Sequence, residues 1–112
     1  MGGHSSQALH ILLALAERDQ HGYGIMQDVE ERTAGKLRLS AGTLYGAIKR
    51  LLEEGLIVEL PETQRPKGAN DDPRRRYYRL TAQGRKAAVE EVDHMAKLVK
   101  QAKAYGLVSK SH

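Results

Sequence analysis

The sequence predicts a small α+β fold that is mostly helical, and three observations carry that prediction. Apolar residues recur at helical spacing in four separate stretches. Two short strand-like stretches bracket a loop rich in proline, glycine, asparagine and aspartate. Residues 63–79, in that loop and the strand after it, hold a net charge of +4, equal to the excess of the whole chain.

Residues 6–18 read as the first helix. Leu9, Leu12, Leu13 and Ala16 form a stripe that Ile11 and Leu15 widen until most of the circumference is apolar. Such a helix is buried on more than one side, against another helix or a second subunit. His10 within it reads as a structural or interface residue rather than a ligand. Asp19, Gln20, His21 and Gly22 break the pattern. A second helix follows over residues 23–33, with Ile25, Met26 and Val29 inward and Gln27, Glu30, Glu31 and Arg32 outward, until Gly35 ends it. Lys36, Leu37, Arg38 and Leu39 alternate polar and apolar, which predicts a short extended piece.

The rest of the chain is organised around residues 40–55. Ser40 is a helix N-cap, Leu44, Ile48, Leu51 and Leu52 repeat at i, i+4, i+7 and i+8, and Gly55 stands where a left-handed C-cap belongs. At 100° per residue the opposite face carries Gly42, Gly46, Lys49, Arg50 and Glu53, with Thr43 and Tyr45 on its flanks. A glycine such as Gly46 inside a helix costs roughly 1 kcal/mol relative to alanine. Close approach of a large ligand is one reason for it, since two bases, two hydroxyls and bare backbone suit a phosphate-flanked groove. An ordinary polar face on a partly buried helix is the other reading.

After Gly55, residues 56–60 are strand-like and stop at Pro61. Residues 62–73 have loop composition, and residues 74–80 alternate again, with Arg76, Tyr78 and Leu80 on one side and Arg75, Tyr77 and Arg79 on the other. Two strands joined by a long basic loop make a hairpin with a projecting tip, and a loop of this length is commonly functional. Thr81 caps a last helix that runs to about Tyr105 and Gly106. Ala88, Val92, Met95, Val99 and Ala102 recur along it at alternating spacings of four and three, a seam of the kind two helices share. Val89 and Leu98 lie beside the seam, within reach of the domain's own core. The organisation expected is a leader at residues 1–5, a first unit at 6–80, a long helix at 81–106 and a tail at 107–112.

With 112 residues, the chain suits one domain with a modest core, near the size at which an obligate dimer adds stability. Apolar content is 40% without Trp or Phe, so the core rests on Leu, Ile, Val and Ala. The absence of cysteine removes disulfides, thiolate zinc sites and thiol nucleophiles, and fits a reducing cytoplasm. The longest apolar run, residues 11–16, falls far short of the roughly 20 needed to span a bilayer. No secretory signal pattern is present. The opening Met-Gly-Gly-His-Ser-Ser matches an N-myristoylation pattern in form, and a flexible Gly/Ser leader has the same letters.

The net charge of +4 has a location. Between Thr63 and Arg79 six bases, Arg65, Lys67, Arg74, Arg75, Arg76 and Arg79, face two acids, Asp71 and Asp72, and the remainder of the chain is neutral. A localised basic patch points to a polyanion. An enzyme is poorly supported. His4, His10, His21, His94 and His112 have no metal-ligand spacing, no serine sits in a nucleophile elbow, and no cofactor motif or phosphate-cradling glycine loop occurs. Glu53-Glu54 and Glu90-Glu91 are adjacent pairs on exposed faces, where solvation explains them.

Three helices and a two-stranded basic wing are the arrangement of a winged helix-turn-helix. Five segments carry a family resemblance: Leu12-Leu13-Ala14-Leu15, His21-Gly22-Tyr23-Gly24-Ile25, Ser40-Ala41-Gly42-Thr43-Leu44-Tyr45, Leu51-Leu52-Glu53-Glu54-Gly55-Leu56-Ile57 and Arg76-Tyr77-Tyr78-Arg79-Leu80-Thr81-Ala82-Gln83-Gly84. Together, in this order and over roughly residues 8–104, they resemble the PadR family of bacterial transcriptional regulators. The resemblance implies a homodimer joined by the last helix with the first, through Leu9, Leu12, Ala88, Val92, Met95, Val99 and Ala102, on a pseudo-palindromic double-stranded operator. It implies recognition-helix contacts from Ser40, Gly42, Thr43, Tyr45, Lys49 and Arg50, with Tyr23 beside the backbone. It further implies wing contacts from Arg65, Lys67, Arg74, Arg75 and Arg76. The resemblance also implies repression, and a likeness to some small members implies release by a small hydrophobic effector near Met95, Leu98 and Val99, for which helix packing is the other reading. The family often has proline where this chain has Ala41 and Gly46. A protein-interaction module is the alternative from another class, because winged helices bind proteins through the same surfaces.

Overall fold

Thr81 shows how the parts are joined. Its side-chain oxygen accepts from the Gly84 N–H (2.9 Å) and donates to the Gly55 carbonyl (2.7 Å), while its own N–H donates to the Leu56 carbonyl (3.1 Å). One residue thus fastens the end of one helix to the start of another. The computed structural model that shows this describes residues 6–66 and 75–108. In chain order the elements are α1 (Ser6–Glu17), β1 (Gln20–His21), α2 (Gly22–Arg32), α3 (Ala41–Glu53), β2 (Ile57–Glu59), a single 3₁₀ turn (Glu62–Gln64), β3 (Tyr77–Leu80) and α4 (Ala82–Ala104). The fold is the mostly helical α+β one that the patterning predicts.

The apolar stripes meet at one core. Ile11 and Leu12 of α1, Ile25 and Val29 of α2, Leu44 and Leu51 of α3 and Ile57 of β2 are fully buried, and α1 touches α2, α3, α4 and β3. At about 25 cal/mol per Å² of apolar surface, each such side chain contributes roughly 1.5–3 kcal/mol. The ends of α3 are closed as its sequence dictates: Ser40 Oγ accepts from the Thr43 N–H (3.1 Å), and Gly55 has a φ of +76°.

The sheet departs from expectation. It has three antiparallel strands in the order β1-β3-β2, with Gln20 opposite Tyr78, His21 opposite Tyr77, and Ile57, Val58 and Glu59 opposite Leu80, Arg79 and Tyr78. The third strand is therefore Gln20–His21, where the sequence shows only a break, and residues 36–39 form no strand. Their alternation reports burial alone: Leu39 is buried and Leu37 half-buried, but the Lys36 and Leu37 N–H groups donate to the carbonyl and Oγ1 of Thr33. Gln20 holds β1 in place from inside. Its amide donates to the Ala14 carbonyl (2.9 Å) and to Asp28 (3.0 Å), which also pairs with Arg32 (3.3 Å).

Tyr77 and Tyr78, expected on opposite sides of an exposed wing strand, are both buried because β3 is the central strand. Tyr77 meets its cross-strand partner His21 edge to face, with ring centroids 5.2 Å apart.

Helix α4 begins inside the domain and then leaves it. Gly84 is buried and Ala87 and Ala88 pack on the core, whereas Val89 and Leu98, read as within reach of that core, are exposed. Packing thus continues past the expected boundary at residue 81. The cause is the direction in which Thr81 launches the helix, which the spacing of apolar residues does not encode.

Candidate nucleic-acid interface

The outer face of α3 presents Gly42, Thr43, Tyr45, Gly46, Lys49 and Arg50, all exposed, with Ser40 exposed at its start. Ser40 donates its hydroxyl proton to Thr43 Oγ1 (3.0 Å) while accepting from the Thr43 N–H, so the Thr43 hydroxyl keeps its own proton to donate outward. Lys49 and Arg50 take part in no ion pair among the described residues. Both charges therefore face outward uncompensated.

The glycines divide into two kinds. A Cβ on Gly22 would lie 2.3 Å from the Tyr45 hydroxyl oxygen, and one on Gly84 would lie 1.9 Å from the Leu56 carbonyl oxygen. The backbone carbonyl excludes a side chain at Gly84, and at Gly22 the Tyr45 ring would have to move aside. A Cβ on Gly42 or Gly46 would meet nothing within 4 Å. No neighbour among the described residues accounts for bare backbone at those two positions.

Beside α3 an open pocket of about 410 Å³ is bounded by Tyr23, Tyr45, Tyr78, Arg75 and Arg76, together with His21 and Gly22. The fold thereby brings Tyr23, Tyr45 of α3 and the arginines Arg75 and Arg76 to one place. Tyr78 is the least accessible of the group, and its phenol is pushed above the ordinary value mainly by burial, with Glu59 and Tyr45 adding and Arg76 opposing. A raised value keeps it a neutral O–H donor well past neutral pH. His21 caps α2 by accepting the Gly24 N–H on Nδ1 (3.1 Å), a role the sequence did not reveal because histidine is an uncommon cap.

The described bases of this segment have different surroundings. Arg79 donates to both carboxylate oxygens of Asp19 (3.2, 3.2 and 2.8 Å), and this hydrogen bonding raises its pKa further. Arg76 lies 4.0 Å from Glu59. Arg65 is half-buried at the base of the loop, and its neighbours Gln64 and Pro66 line a different pocket with Glu17, Asp19 and Arg79. The structure therefore places Arg75 and Arg76, but not Arg65, in the pocket beside α3. Lys67 and Arg74 lie outside the described residues.

The expected subunit contact is also revised. Leu12 is 1% exposed and Leu9 6%, so both are buried within one chain, and Ala88 packs on its own core. Val92, Met95, Leu98 and Val99 are exposed along α4, and Leu13 of α1 is 38% exposed. Among the described residues, no His, Asp or Glu group could hold a metal ion and no helix is long and apolar enough to cross a membrane.

Residues 11–90 match the family described as the transcriptional regulator PadR-like family. A transcriptional regulator of Mycobacterium tuberculosis is 34% identical over 93 residues, covering 83% of this chain and 78% of that protein. Among solved structures, a transcriptional regulator from Clostridium thermocellum has a TM-score of 0.68 at 29% identity, covering 88% of this chain and 89% of that one. A PadR family transcription regulator from Clostridium difficile has a TM-score of 0.71 at 25% identity, covering 90% and 98%. With most of its length matched and its helices and small sheet shared with regulators rather than enzymes, this chain belongs to the PadR-like family of transcriptional regulators.

Proposed function

We propose that this chain is a cytoplasmic homodimeric repressor that reads a pseudo-palindromic operator with α3 and its wing and releases it on binding a small hydrophobic effector. The observation that carries DNA binding is the bare, open backbone at Gly42 and Gly46 beside the unpaired charges of Lys49 and Arg50. A groove wall approaches such a surface without a side chain in the way, and the flanking bases and hydroxyls meet phosphates and base edges. Arg75 and Arg76 extend the positive surface from the wing.

Selection of bound sequences from a random duplex pool at two salt concentrations tests this reading. An inverted repeat with half-sites about one helical turn apart is the expected result. Enrichment of no sequence at either salt concentration would leave a protein-interaction module in its place. Arg75→Ala should weaken binding to all sequences and reduce the slope of log K against log salt by about 0.9. An unchanged slope would remove the wing from the interface.

The dimer reading rests on the exposed apolar stripe Val92, Met95 and Val99, too large a surface to leave in water along one helix. Met95→Glu should give a folded monomer by sedimentation and circular dichroism, and a persisting dimer would place the contact elsewhere. The effector is assigned to the space between two such helices, near Met95, Leu98 and Val99. Its test is release of the operator complex by titrated apolar ligands.

A further inference from the structure

Tyr78 is a core residue with an unused polar end. Its ring belongs to the buried cluster that includes Ile25, Leu44, Ile48 and Leu56, and the residue is only 3% exposed. A tyrosine buried so deeply ordinarily ties its hydroxyl to a neighbour. Here the phenol makes no hydrogen bond among the described residues, and its oxygen is not sealed in, because Tyr78 lines the pocket beside α3. The core thus delivers a donor to an opening.

Other groups at that opening have the same character. The Tyr45 hydroxyl, also without a hydrogen bond among the described residues, lies over Gly22, where α2 begins. The N–H groups of Gly22 and Tyr23 have no acceptor within that helix. Arg75 and Arg76 add two guanidinium groups, and no carboxylate is among the described lining residues. Glu59 acts from outside the lining, 4.0 Å from Arg76, and adds to the burial that pushes the Tyr78 phenol up. The hydroxyl stays protonated. Two hydroxyls, two guanidinium groups and a helix N-terminus together suit an oxygen acceptor that carries negative charge.

We propose that this pocket seats one phosphodiester group of the DNA backbone, with the Tyr78 hydroxyl as a buried donor beside the Tyr45 hydroxyl and the guanidinium groups of Arg75 and Arg76. The inference rests on the duplex-binding reading above and adds to it a contact made from the core of the domain. Tyr45 is common to the pocket and to α3, so a strand that passes the pocket also passes the face that carries Gly46, Lys49 and Arg50. The two arginines supply charge. Tyr78 supplies position, because β3 is held between β1 and β2 and its ring is packed against the core on which α3 lies. A phosphate fixed there sets the register of α3 in the neighbouring groove.

Tyr78→Phe removes one oxygen atom and keeps the buried ring. Since that oxygen bonds to no described residue, the midpoint of thermal unfolding should be nearly unchanged. Duplex affinity should fall about tenfold, as for a lost hydrogen bond to a charged acceptor. The fall should be the same for operator and unrelated duplexes, because the backbone carries no sequence information. The slope of log K against log salt should stay that of the wild type, in contrast to Arg75→Ala, because no charge has been removed. Affinity for Tyr78→Phe within twofold of the wild type overturns the seat.

Duplexes carrying a single neutral methylphosphonate, placed at each position in turn, identify the partner. At one phosphate per half-site the neutral linkage should cost the wild type more than it costs Tyr78→Phe. Equal costs at every position overturn the contact even where affinity has fallen. Inorganic phosphate replacing chloride at constant ionic strength tests the source. Unchanged duplex binding by the wild type supports the backbone assignment, whereas release of the duplex from the wild type and not from Tyr78→Phe assigns the pocket to a free anion and overturns it. A wild-type protein that binds no duplex would instead defeat the duplex-binding reading itself.

Discussion

Gly84→Ala is expected to destabilise the fold by about 3 kcal/mol, at the upper end of the usual range for inserting a methyl group into packed structure. The added Cβ would lie 1.9 Å from the Leu56 carbonyl oxygen, 2.8 Å from the Leu56 carbonyl carbon and 2.8 Å from Leu80 Cδ1. The leucine side chain can turn aside, but the carbonyl cannot. Leu56 is held on both sides, its N–H donating to the Leu51 carbonyl (3.0 Å) and its carbonyl accepting from Thr81 (3.1 Å). Relief requires α4 to lift from the sheet, which also strains the Thr81 contacts and uncovers Ala87 and Ala88. For a domain of this size the midpoint of thermal unfolding should fall by more than about 10 °C. An unchanged midpoint would show that the start of α4 is not held as described.

Gly46→Ala is expected to move stability and binding in opposite directions. The position is helical and exposed with nothing within 4 Å of the new Cβ, so the substitution should stabilise the protein by roughly 1 kcal/mol. The same methyl group stands where a groove wall is proposed to approach, and operator affinity should fall about tenfold, or about 1.4 kcal/mol. Thermal unfolding and a duplex titration on the same preparation check both halves. A variant that gains stability and keeps its affinity would mean that α3 does not approach DNA through its bare backbone. Gly22→Ala makes a useful contrast, because there the methyl group collides with Tyr45 inside the chain and should harm both properties.

Much of the architecture was legible in the residues because it is locally determined. Helix periodicity, the caps at Ser40 and Thr81 and the left-handed glycine at Gly55 act within a turn or two, and the structure places them as the sequence implies. The face of α3 that carries Gly42, Gly46, Lys49 and Arg50 follows from the same periodicity. In each case the physics that fixes the feature lies between residues a few positions apart.

Features that depend on distant partners could not be read in this way. Gln20 and His21 lack the composition of a strand and become one because β3, more than fifty residues later, offers an open edge while Asp28 and the Ala14 carbonyl hold the Gln20 amide. Residues 36–39 have the alternation of a strand and no such edge. Along α1, Leu12 and Leu13 are adjacent and chemically alike, yet one is fully buried and the other part-exposed, a choice made by where α2, α3 and α4 pack. The charge excess was visible as a sum, but Asp19 engages Arg79, Arg65 is half-buried, and only the fold brings Arg75 to His21. Periodicity and capping are properties of neighbours in sequence, so the chain alone specifies them; pairing, burial and convergence of charge are properties of neighbours in space, and arise only once the core has closed.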